Sequence, residues 1–363
     1  MKSCASEAAT PFLFATCRLG AEPTLKSEMS SLEPGIRSAF ARPGFVTFKL
    51  PAGFSSSDRL ILKSVFAHTA GWSCGSVRCD STAQGAPRVW DLVEGRRVHH
   101  LHVWQRSSRG GPLNPVTPLA TEIGRQLLSR ISRDRKPVPL NQIAQRGQQI
   151  LDCILIEPGE WWVGRHVANA IPSRWPAGVI HREMPPHAVS RAYLKMWACL
   201  QWSGMAIAPG DGCVELGSAP GGSSQALLDR GAHVTGIDPA EMDENVLAHP
   251  SFRHLRMRGS ELKRRAFREF RWLIADANVA PKHTLDTVEG IVTYPGVPIR
   301  GVLLTLKLLQ WNLVEQIPSW LERVRSWGYR HVRARQLASG GQEICIAGMR
   351  HRALRRVGRR PRS

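Results

Sequence analysis

Apolar and polar positions along this chain follow two periods, and the balance between them shifts near residue 190. Residues 1–110 hold short strand-like runs separated by turns. Residues 12–17 are mostly apolar and predict a first strand, and residues 44–50 alternate apolar and polar side chains as a half-buried strand does. Residues 58–71 show helical spacing, and residues 98–105 predict another strand. Residues 107–118, rich in Ser, Gly, Pro and Arg, predict a loop. Residues 149–156 are apolar enough for a strand, and residues 159–164 continue a small β unit. Four prolines (Pro172, Pro176, Pro185 and Pro186) predict an extended connection over residues 171–186.

From Ser190 the pattern is that of helices alternating with buried strands. Residues 190–202 form an amphipathic helix with Ser190 as its N-cap. An apolar strand at 212–217, a glycine-rich turn, a helix at 223–230 and a strand at 233–238 follow. Further strands are expected at 272–276 and 301–308, a helical stretch at 311–327 interrupted by Pro318, and last strands at 331–337 and 342–347. This alternation predicts the α/β class, a doubly wound sheet over residues 186–348. An α+β region at 1–110 and a second small module with its proline-rich connection at 111–185 precede it, and 349–363 is an arginine-rich tail.

Charge narrows the choice of partner. The 363 residues carry 49 Lys and Arg against 29 Asp and Glu, a net charge of +20, and the seven arginines of the tail account for only part of it. Such a balance favours a polyanion, most commonly nucleic acid. No apolar run approaches the roughly 18–20 residues needed to cross a bilayer, and residues 11–17 are too short for a secretory core. The expectation is a cytoplasmic protein without a membrane segment. The eight cysteines show no C-x-x-C pair, which argues for reduced thiols rather than zinc. His99, His100 and His102 lie together in one expected strand. With no carboxylate or cysteine nearby in sequence they predict an exposed, RNA-facing strand, not a metal site.

Two features carry chemistry. In Val214-Glu-Leu-Gly-Ser-Ala-Pro-Gly-Gly222 a strand runs into a glycine turn and then a helix, and Asp238 closes the next strand, placed to accept from ribose hydroxyls. The glycines do not form G-x-G-x-x-G or a P-loop, so a nucleoside ligand without phosphates, such as S-adenosylmethionine, fits better than a dinucleotide. Lys307 stands inside the apolar run 302–309 and needs a carboxylate partner if buried, which Asp276 at the end of another apolar strand can supply. Ring-carbon and amino methylation are disfavoured, since no Pro-Cys pair and no [N/D]-P-P-[Y/F] motif is present; residues 276–281 read Asp-Ala-Asn-Val-Ala-Pro.

Ser190-Arg-Ala-Tyr-Leu-Lys195, the Glu-Leu-Gly-Ser-Ala-Pro-Gly-Gly turn, Asp276, Thr-Leu-Lys307 and Gln342-Glu343-Ile together resemble the FtsJ-type ribose 2′-O-methyltransferases, and among these the RlmM type that modifies a cytidine of large-subunit (23S) rRNA. The resemblance is specific over 161–347. It implies a Rossmann-like catalytic domain, S-adenosyl-L-methionine as cofactor, ribosomal RNA as partner, and RNA-binding modules before the domain, one of them THUMP-like. It also implies a catalytic tetrad of Lys195, Asp276, Lys307 and Glu343, with Lys307 as base and Asp276 orienting it. The implied cofactor residues are Ser190, Gly217, Ala219, Pro220, Gly221, Gly222, Asp238 and Asp276. One position departs from the pattern. Arg258 stands where the family has an acid that accepts from the adenine amino group, and arginine has no acceptor. Glu261 or a backbone carbonyl is left to take that role. A non-catalytic RNA-binding protein with a degenerate fold is the alternative this departure leaves open. A small-molecule methyltransferase explains neither the charge nor the long N-terminal region.

Overall fold

The computed structural model describes residues 12–54, 57–106, 114–131 and 137–350. The arginine-rich tail beyond Arg350 lies outside them. The chain divides into two compact units, Met1–Val179 and Ile180–Ser363. Among the described residues no helix is long and apolar enough to cross a membrane.

The first unit is built on seven strands: β1 (Phe12–Thr16), β2 (Arg37–Arg42), β3 (Phe45–Lys49), β4 (Ala70–Arg78), β5 (His100–Gln105), β6 (Gln149–Glu157) and β7 (Glu160–Val167). They form one sheet in the order β2-β3-β1-β4-β7-β6-β5, antiparallel except for β5 beside β6. β4 pairs with β7, so residues on both sides of the 107–118 stretch share this sheet. Helices α1 (Glu22–Leu32), α2 (Ser57–Lys63), α3 (Thr82–Asp91) and α4 (Pro118–Ser129) accompany it. α4 begins where the sequence dictates: Thr117 accepts from the Ala120 N–H at 3.2 Å, and Pro118 occupies the first turn, where its missing N–H costs nothing. Its Ile123 and Leu127 then pack with Val89 of α3 onto Leu101, Val103 and Leu151 of the sheet.

Two expectations for this unit are corrected. The helical stretch at 58–71 stops at Lys63. There the Glu28 carboxylate on α1 accepts from the Ser64 hydroxyl at 2.5 Å and from the N–H groups of Val65 and Phe66 at 2.6 and 3.2 Å, and Ala70 already starts β4. The histidine strand is not an exposed face, because His100 and His102 are buried. His102 Nε2 donates to the Gln142 carbonyl at 2.9 Å, and burial pushes its pKa down to about 4. Beside it, on β6, the fully buried Asp152 accepts from Trp104 Nε1 at 3.0 Å and from His166 Nδ1 at 2.6 Å. Burial alone raises a carboxyl pKa, but the His166 partner outweighs it and holds Asp152 below the ordinary value.

The second unit holds β8 (Gly212–Leu216), β9 (His233–Ile237), β10 (Phe252–Leu255), β11 (Trp272–Ala275), β12 (Gly301–Lys307), β13 (His331–Arg335) and β14 (Glu343–Met349). The order is β10-β9-β8-β11-β12-β14-β13. The first five are parallel, and β14 runs antiparallel between β12 and β13. β11 and nearly all of β12 are buried, as parallel strands covered on both faces require. The helices are α5 (Ala192–Ser203), α6 (Gly222–Leu228), α7 (Glu244–Leu247), α8 (Pro281–Val292) and α9 (Ile317–Ser326). Pro318 does not interrupt a helix. It lies in the first turn of α9, after a separate 3-10 turn at Trp311–Gln316. Ser190 is not an N-cap, because α5 starts from Arg191 with no side-chain cap.

Candidate active site

In an open parallel sheet, ligands gather beyond the carboxyl ends of the strands. Four charged side chains meet at that end of the second unit. Asp276 directly follows β11, Lys307 ends β12, and Glu343 opens β14 in register opposite Lys307. Lys195 reaches them from the first turns of α5, a helix whose Tyr193, Met196, Ala198, Cys199 and Leu200 are buried. The charges alternate around a closed ring. Lys195 contacts Asp276 and lies 3.3 Å from Glu343 Oε1, while Lys307 contacts Glu343 and lies 3.8 Å from Asp276 Oδ1. The ring is neutral with both lysines charged, and its side chains are only 6–23 % exposed, Lys307 the most.

Burial opposes the charge on Lys195, yet Asp276 and Glu343 overcome it and hold the ammonium above the ordinary lysine value. Burial likewise raises Glu343, and the two lysines more than reverse it, so its carboxyl lies below the ordinary range. Asp276 Oδ1 is buried without a hydrogen-bond partner and remains an open acceptor inside the ring. Lys307 lies 3.8 Å from Asp276, the partner the sequence suggests for it, and in closer contact with Glu343, while Lys195 takes the nearer place beside Asp276.

The glycine turn abuts this ring. Gly217 has φ +78°, and a Cβ there would stand 2.8 Å from Ala277 Cα and 2.9 Å from the Asp276 carbonyl oxygen. Only glycine lets the turn after β8 lie so close to the end of β11. Gly221 precedes the first turn of α6, and a Cβ on Gly222 would come within 2.2 Å of Ser190 Oγ. That hydroxyl is buried and has no partner. Asp238, after β9, is fixed by the backbone: one carboxylate oxygen accepts from the Ala219 N–H at 3.1 Å and the other from the Ala240 N–H at 2.8 Å. Each oxygen keeps a lone pair for a further donor. Glycine backbone, a fixed carboxylate at the end of β9 and an unpartnered hydroxyl are what a nucleoside-bearing amino acid such as S-adenosylmethionine needs, so the residues present fit that group.

One feature was not read from the sequence. Glu215, inside the Glu-Leu-Gly motif, is fully buried in β8; it accepts from Ser224 Oγ at 2.5 Å, and burial pushes its pKa up to about 7. An acid within the glycine-rich motif signalled this, but its burial follows only from the central place of β8. At the departure from the family pattern, the Glu261 carboxylate folds back and accepts from the Arg258 N–H at 2.9 Å, so a carboxylate does stand beside position 258.

The FtsJ-like methyltransferase family matches residues 188–315. An FtsJ-like methyltransferase domain therefore forms the body of the second unit. Over nearly the whole chain the protein is similar to ribosomal RNA large subunit methyltransferase M of Halorhodospira halophila, 28 % identical in an alignment of 353 residues that covers 92 % of this chain and 95 % of the relative. It is 26 % identical over 349 residues to the protein of the same name from Xanthomonas euvesicatoria, covering 92 % of this chain and 98 % of that one.

Proposed function

We propose that this protein is a cytoplasmic, S-adenosylmethionine-dependent ribose 2′-O-methyltransferase of ribosomal RNA, acting on a cytidine of the large-subunit (23S) rRNA. The observation that carries the reading is the neutral ring of Lys195, Asp276, Lys307 and Glu343 set against the glycine turn at the carboxyl ends of β8, β11 and β12. The relatives' names supply the substrate class, and the net charge of +20 agrees with it.

Ser190, Gly217, Ala219, Pro220, Gly221, Gly222, Asp238 and Asp276 would hold the cofactor, with Asp238 accepting from ribose hydroxyls. When bound, it supplies a methyl group on a sulfonium. A ribose hydroxyl is a weak nucleophile until its proton is taken. Lys307, the most exposed member of the ring, is the base: once its ammonium has given a proton to solvent, the Nζ lone pair accepts the 2′-proton while the oxygen attacks the methyl group. The open Oδ1 of Asp276 orients the hydroxyl by accepting its hydrogen bond beforehand. Glu343 and Asp276 stabilise the ammonium that forms on Lys307, and Lys195 stays charged to balance the two carboxylates. Holding the hydroxyl in line with the methyl group carries much of the rate. Glu261, whose carboxylate accepts from the Arg258 N–H, is the acid proposed to take the place of the one that Arg258 lacks. The first unit serves as the RNA-binding region.

Incubating the purified protein with methyl-labelled cofactor and unmodified 23S rRNA, then digesting to nucleosides, tests this. The label should appear in 2′-O-methylcytidine. Label on a base, or none, overturns it.

A further inference from the structure

Beyond β10, residues 256–265 carry five cations (Arg256, Arg258, Lys263, Arg264 and Arg265) against a single acid, Glu261. That acid is exposed and accepts from the Arg258 N–H at 2.9 Å. This segment lies over the cofactor turn. A Cβ on Gly259 would meet the side chain of Leu216, the last residue of β8, at 2.9 Å, and the next residue, Gly217, abuts Asp276 of the ring. Arg264 braces the loop by donating to the Gly259 carbonyl at 3.1 Å. Its neighbours Lys263 and Arg265 are exposed, as are Arg256 and Arg258. Among the described residues no carboxylate pairs with Lys263, Arg265 or the Arg258 guanidinium, while Arg256 makes an exposed contact with Glu241 at 3.3 Å and donates to the Pro239 carbonyl at 3.3 Å.

Five cations on a braced loop, against the exposed Glu261 within it and Glu241 beside Arg256, leave a net positive field to the solvent. They sit at the same end of the sheet as the ring that would receive the target ribose. We infer that loop 256–265 is a phosphate-binding rim of the catalytic domain, which grips the RNA strand beside the methylated nucleotide. Lys263 and Arg265 are its principal contacts. The inference rests on the proposed RNA substrate and adds to it a surface distinct from the first unit.

The test is the salt dependence of binding to a 23S rRNA transcript, measured for the parent, for Lys263→Gln/Arg265→Gln, and for the charge-preserving Lys263→Arg/Arg265→Lys. Each lost phosphate contact on a single strand flattens the slope of log affinity against log salt by about 0.7. The double glutamine variant should therefore be shallower by about 1.4, so that a fourfold rise in salt costs it roughly sevenfold less affinity than it costs the parent. The charge-preserving variant should keep the parental slope. A parental slope in the glutamine variant, or a flattened one in the charge-preserving variant, overturns the rim alone. A parent whose binding shows no salt dependence overturns the RNA reading, and the rim with it.

Discussion

Glu343→Gln removes one charge from the ring at almost constant shape. The Glu343 side chain is 6 % exposed, contacts Lys307 and lies 3.3 Å from Lys195. Without it, two ammonium groups share Asp276 alone. Opposite charges about 4 Å apart attract by roughly 4 kcal/mol at the effective dielectric of a partly wet site, and the amide recovers part of that by needing less desolvation. Breaking a buried pair from one side costs about 3–5 kcal/mol. Because Lys307 is 23 % exposed, water screens its loss, and the lower end, about 3 kcal/mol, is expected. For a unit of this size that is a fall in Tm of roughly 6–12 °C. The pH dependence has a defined sign. Glu343 is held below its ordinary value, so the folded state stays ionised where the unfolded chain takes up a proton. Its stabilisation is complete above the unfolded carboxyl value of about 4.3 and is lost as pH falls through the lower folded value. The share carried by Lys195, whose value is raised, is present below about 10.4 and is lost only as pH rises through the folded value. Thermal unfolding followed by circular dichroism should therefore show a constant difference between parent and variant from pH 6 to 8, shrinking towards pH 3. Equal Tm values at pH 7, or a difference undiminished in acid, would refute the ring as an electrostatic unit.

Other consequences follow from particular residues. His102 is held at about 4 while an unfolded histidine titrates near 6.5, so protons favour the unfolded chain between those values; the first unit should lose about 3 kcal/mol from pH 7 to pH 4, and His102→Gln should remove that slope in denaturant titrations. Asp238→Ala should weaken S-adenosylmethionine binding about tenfold or more, a charge-assisted contact being worth roughly 1.5–3 kcal/mol; equal affinities by calorimetry would mean that the ribose is held elsewhere. Gly217→Ala should lower both Tm and cofactor affinity, since the new Cβ meets the Ala277 backbone at 2.8–2.9 Å and the residue must keep φ +78°; unchanged cofactor affinity would show that the turn tolerates displacement.

The catalytic domain was legible because its signals are local. Buried parallel strands write themselves as unbroken apolar runs, and a lysine or carboxylate at the end of such a run stands out. Lys307 and Asp276 were visible for that reason. The contact of Lys307 with Glu343 was not, because it depends on β14 entering antiparallel beside β12 and bringing Glu343 directly opposite Lys307. The first unit was harder to read. Its sheet joins β4 to β7 across some eighty residues of sequence, a pairing no local pattern encodes. His100 and His102 look like the polar face of a strand, and only the nearby Asp152 of β6 and the carbonyl of Gln142 show how they are accommodated in a core. Ser190 resembles a helix cap by its neighbours, whereas the close approach of Gly222 claims its hydroxyl for the site.

The central claim is that Lys307 takes the proton of a ribose hydroxyl. Single-turnover methyl transfer to 23S rRNA by Lys307→Ala, with RNA affinity measured on the same preparation, tests it most directly. Lys195 still pairs with Asp276 and Glu343 in this variant, so the fold and RNA binding should persist. The methyl-transfer rate should fall by about 10²–10⁴, the usual contribution of a positioned base. A rate equal to that of the parent, on RNA bound equally well, would contradict the account.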